Sequence, residues 1–107
     1  MATEARTLER LQYLEALYRQ GYRSEVVDRS LAKLVALEKE VARRELAELQ
    51  ERLRVFETQY QMPSETFYQR FRAGELGDTA DMVEWSIFYE MWQSVRERLE
   101  GLAAESL

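Results

Sequence analysis

Apolar side chains recur at spacings of three and four along nearly the whole chain, the period of one helix face. The first stripe is Leu8, Leu11, Leu14, Leu17 and Tyr18, which predicts a helix over about 5–20. Gly21 stands where that helix stops, because glycine adopts the left-handed conformation that closes a helix. Ser24 is placed to cap the next one. A long helix follows over about 24–61, with a first seam of Val27, Leu31, Leu34, Glu38 and Val41. Its second seam is Ala42, Leu46, Leu49, Leu53, Phe56 and Tyr60, so the phase slips by about one position near Val41, like a stutter. Pro63 is expected to end this helix, since the residue before a proline avoids the helical region.

A short helix over about 65–73 carries Phe67, Tyr68 and Phe71, with Ser64 as expected N-cap and Gly74 as stop. After a turn from Gly74 to Asp78, a last helix runs to about 103, capped by Asp78 or Thr79. Its heptad is the cleanest in the chain: Trp85, Phe88, Trp92, Val95, Leu99 and Leu102. At 1.5 Å per residue the first, second and fourth helices span roughly 24, 57 and 37 Å. The first and fourth therefore lie end to end along the second, each covering one half, and short connections make neighbours antiparallel. The expected fold is all-α, an antiparallel helical hairpin or coiled-coil-like bundle. One long central helix dominates it, and the short helix precedes the C-terminal one. The expected organisation is a single helical domain over 1–107, in which 1–45 hold the N-terminal helix and the start of the long one, and 46–107 form the hairpin module.

Composition supports this and narrows the chemistry. Ala, Leu, Glu, Lys and Arg make up 57 of 107 residues, the balance of long helices, and only 13 are Val, Ile or Thr. The longest apolar run, Leu34 to Leu37, is far short of the ~20 residues a membrane span needs. With no signal-peptide pattern at the N-terminus, a cytoplasmic location is expected. With neither Cys nor His in the chain, disulfides, thiolate zinc sites and Ser-His-Asp or Cys-His catalysis are excluded. No enzyme activity, catalytic residue, cofactor or metal is expected. The charge is uneven: residues 1–61 carry 11 basic and 11 acidic side chains, whereas 62–107 carry 4 and 9. The entire net charge of −5 thus belongs to the C-terminal part. Such a surface repels nucleic acid and steers a basic protein partner.

Three constellations of side chains stand out. Glu75, Asp78, Asp81 and Glu84 resemble a Mg²⁺ site in spacing, but no further ligand completes the set, and acids at a helix start are favoured by the helix dipole. Arg19, Arg23, Arg29 and Lys33 around Gly21 loosely resemble a helix-turn-helix patch, cancelled by Glu15, Glu25 and Asp28. Nine of the twelve aromatics fall between Phe56 and Trp92. Trp85, Phe88 and Trp92 are expected in the core, with Tyr68, Tyr89, Ile87 and Met91 off the seam as an exposed patch. Tyrosine and tryptophan dominate interface hot spots.

Residues 67–85, FYQRFRAGELGDTADMVEW, resemble a pattern of small bacterial helical proteins from toxin–antitoxin-like gene pairs. The matching positions are Phe67, Arg70, Phe71, Gly74, Glu75, Leu76, Gly77, Asp78, Asp81, Glu84 and Trp85, and the likeness covers about Leu46 to Leu102. It implies the antitoxin-like component, which binds and blocks a small basic, nuclease-like toxin. Joined to the acidic, aromatic character of this half, it gives an expected contact set of Tyr68, Phe71, Glu75, Asp78, Asp81, Glu84, Trp85 and Tyr89. The alternative is a homo-oligomeric coiled-coil scaffold or adaptor with no toxin partner. A two-helix layer leaves apolar surface open, so a homodimer or larger oligomer is expected either way, without nucleic acid or membrane as a partner.

Overall fold

A computed structural model describes residues 2–104. The chain is all-α: α1 is Ala2–Arg19, α2 Glu25–Tyr60, α3 Ser64–Arg72 and α4 Ala80–Ala104. No strand occurs among the described residues.

The helix ends follow local chemistry. Ser24 caps α2: its Oγ accepts from Val27 N–H at 3.3 Å and its carbonyl from Asp28 N–H at 3.0 Å. Thr79 does the same for α4, accepting from Met82 N–H at 3.4 Å, so Asp78 lies outside the cap. Both α1 and α3 close through a glycine at positive φ, Gly21 at 100° and Gly74 at 79°. Tyr22 N–H then reaches Leu17 O and Glu75 N–H reaches Arg70 O, each at 3.0 Å, the Schellman closure.

Two ends differ from expectation. Gln61, at φ 54°, ends α2 in the left-handed region, and Met62 N–H bonds back to Glu57 O at 3.2 Å. The helix is therefore already closed before Pro63. Pro63 instead holds the N-cap position of α3, with no side-chain cap bond. Ser64 is the first helical residue rather than the cap, because its hydroxyl is engaged by Trp85 and its N–H by the Glu57 carboxylate at 2.9 Å.

Packing divides the chain into two compact units, 1–34 and 35–107. Within the second unit the buried face of α2 starts at Ala42. In unit 1, Leu14, Leu17, Tyr18 and Val27 are half-buried near the turn. There Ser24 N–H donates to the Tyr18 hydroxyl at 3.1 Å and that hydroxyl donates to Asp28 at 2.7 Å.

Unit 2 has two buried clusters, with half-buried Phe88 and Trp92 packed against both. The second seam of α2 faces α4 as expected, with Ala42, Leu49, Leu53 and Phe56 buried. The pairing is antiparallel: Glu45 meets Arg98, Leu49 meets Val95, Phe56 meets Trp85 and Tyr60 meets Asp81. The stutter marks where this begins, since Val41 is 43% exposed and Ala42 only 1%. The short α3 closes one side of the α2–α4 seam. Its Phe67 stacks on Trp85 with ring centroids 3.8 Å apart and planes 5° from parallel. Phe56 and Tyr60 stack on the same indole at 5.5 and 5.7 Å.

Candidate partner-binding surface

Four of the eleven positions of the 67–85 pattern build this core. Phe67 and Trp85 are fully buried, and Phe71 and Leu76 pack against the same cluster. Gly74 and Gly77 take positive φ in the α3–α4 turn, and exposed Arg70 and Glu75 form an ion pair across it at 3.4 Å. Asp81 accepts hydrogen bonds from the Tyr60 hydroxyl and, at 3.4 Å, from Gln59. The bond to Asp81 is the first cause that raises the Tyr60 pKa, since a phenolate would meet a carboxylate.

The expected contact residues therefore separate into two groups. Trp85, at 0% exposure, and Tyr89, at 8%, lie in the core and present no surface. The two-helix pattern puts Tyr89 off the seam, but α3 widens the buried face. The Tyr68 ring lies 4.9 Å from that of Tyr89, and its hydroxyl donates to Glu90 at 2.6 Å. Burial raises the Tyr89 pKa, and the Glu90 bond raises that of Tyr68. Phe71 is half-buried, and Asp81 is committed to Tyr60. Glu75, Asp78 and Glu84 remain exposed.

What the structure adds is an apolar ridge on α4. Val83, Ile87 and Met91, four residues apart, are 39, 49 and 47% exposed. Residues at that spacing share one helix face, and this face points away from the side that buries Trp85, Tyr89 and Trp92. Glu84 lies beside the ridge. Met91 also lines a cleft of about 350 Å³ between α2 and α4, with Glu45, Glu48, Arg52 and Phe88. Arg52 sits over the Phe88 ring, 5.2 Å from its centroid. Ile87 and Met91 were legible as off-seam residues; Val83 was missed, though its spacing to them was in plain view.

Trp92 occupies a middle position. It is half-buried rather than core, with Arg96 4.6 Å above its ring, and its Nε1 is buried without a hydrogen-bond partner. Among the described residues, no group of three acidic side chains is close enough to hold a metal ion. The basic residues at the first turn are engaged locally: Arg29 pairs with Glu25 at 2.6 Å, and Arg23 donates to the carbonyls of Tyr18 and Tyr22. Among the described residues, no helix is long and apolar enough to cross a membrane. No protein-family model matches the chain, nor does any curated protein or solved structure.

Proposed function

We propose that this chain is a protein-binding module, antitoxin-like in action, which neutralises a basic partner through the outer face of α4. The observation that carries the reading is the exposed Val83–Ile87–Met91 ridge, bordered by Glu84, in a unit that holds nine bases against fifteen acids. Apolar ridges with a charged border are how helical modules engage partners: the apolar centre supplies affinity, the border steers encounter. The buried Phe67–Trp85 stack fixes α4 rigidly, so the ridge is presented with little ordering cost. The resemblance of residues 67–85 supplies the toxin-blocking aspect, with the basic partner encoded in the adjacent gene. The contact set is revised accordingly to Val83, Glu84, Ile87 and Met91, with Glu75 and Asp78 at the turn.

The test is co-expression with the neighbour-encoded protein, followed by affinity capture and a growth-rescue assay. A stoichiometric complex and rescue are expected, both lost in the Ile87→Glu/Met91→Glu variant while its melting temperature holds. Absence of a complex with the wild-type chain overturns the proposal.

A further inference from the structure

Unit 1 has no core of its own. None of residues 3–34 is buried. The stripe that packs near Gly21 opens progressively away from that turn. Leu14 and Leu17 are half-buried, Leu11 is 48% and Leu8 56% exposed; on α2, Val27 is half-buried, Leu31 39% and Leu34 53% exposed. Between the helices lies an apolar cleft of about 230 Å³ lined by Leu11, Leu14, Tyr18, Val27 and Leu31, with Glu15 at its edge. Two helices alone cannot cover such a stripe; a bundle of four can.

We infer that the α1–α2 hairpin is a self-association surface, covered by the same hairpin of a second copy with the two α1 helices antiparallel. Charge decides the occupant and the direction. Unit 1 carries six bases and five acids, so two such hairpins meet with little net repulsion, and the charge along α1 is complementary to itself when reversed. Along α1 the signs alternate from Glu4 at the start to Arg19 at the end. A parallel copy sets like charges side by side. An antiparallel copy with its two-fold axis at Leu11 sets Leu8 against Leu14 and brings Glu4 of each chain beside Arg19 of the other, where it adds to the exposed 3.4 Å pair that Arg19 makes with Glu15 of its own chain. Such an isologous contact closes at two chains. It is independent of the partner-binding reading, which uses α4.

The experiment is sedimentation of the full chain at micromolar concentration. A mass twice the 12.7 kDa of the chain is expected. Leu11→Glu shifts the species to monomer. Arg19→Glu weakens the dimer by about tenfold or more, and the double reversal Glu4→Arg/Arg19→Glu restores it. Residues 4 and 19 lie roughly 22 Å apart along one helix, so this rescue cannot arise within a chain. Helical circular dichroism and Trp85 fluorescence confirm that each variant is folded. A monomeric wild type overturns the inference, as does a dimer that Leu11→Glu leaves intact or that the double reversal fails to restore.

Discussion

The indole Nε1–H of Trp85 donates to the Oγ of Ser64 at 2.9 Å, joining the second turn of α4 to the first residue of α3. Both residues are buried, so the bond stands in a low-dielectric setting with no water to replace it. It explains why Ser64 forgoes the capping role its position suggested. It also offsets the cost of burying the Trp85 indole, whose N–H would otherwise be left without a partner.

Trp85→Ala is expected to cost about 3–5 kcal/mol, the range for removing a large buried aromatic. Ser64→Ala is expected to cost about 1–3 kcal/mol, because it strands a buried donor. In a double-mutant cycle, Ser64→Ala in a Trp85→Phe background costs much less than in the wild type. Urea unfolding measures all four corners; equal costs of Ser64→Ala in both backgrounds would remove the bond from the account.

The two tryptophans should respond oppositely to phenylalanine. Trp92 carries a buried N–H with no partner, so Trp92→Phe removes an unsatisfied donor along with some packing. A change below about 1 kcal/mol is expected, against a clear loss for Trp85→Phe, where a made bond is broken. Comparable losses at the two sites in chemical denaturation would contradict this.

Gly77 sits at φ 75° in the α3–α4 turn, with open space where a side chain would go. Crowding is therefore not the obstacle; the backbone conformation is. Gly77→Val is expected to destabilise by about 1–2 kcal/mol, the cost of holding an L-residue in the left-handed region. An unchanged melting temperature would show that the turn relaxes to another conformation.

Stability should decline at alkaline pH. Tyr60, Tyr68 and Tyr89 all have pKa values raised above 10.0 in the folded chain, the first two chiefly through bonds to Asp81 and Glu90, the third through burial. A folded pKa above the unfolded one means the folded state holds its proton more tightly. The resulting stability is fully present below pH ~10 and is lost as pH rises through the raised values. Absorbance titration of the phenolates should show Tyr60→Phe removing one of the late-titrating groups. A normal titration of every tyrosine would dispose of the prediction.

The amino-acid sequence by itself determined the helices, their order and most of their ends. These depend on neighbours within a few residues: apolar spacing, Ser24 and Thr79 as caps, Gly21 and Gly74 as stops. The phase slip at Val41 even located where α2 turns its seam toward α4. What the tertiary structure decided was everything set by a third element. The covering of one side of the hairpin by α3 buries Tyr89 and commits Ser64 to Trp85. Asp81, read as part of an acidic face, is turned to Tyr60 by the antiparallel pairing of α2 and α4. Helical periodicity fixes which residues share a face of one helix; which faces are covered depends on contacts between residues far apart in the chain, and no local pattern encodes them.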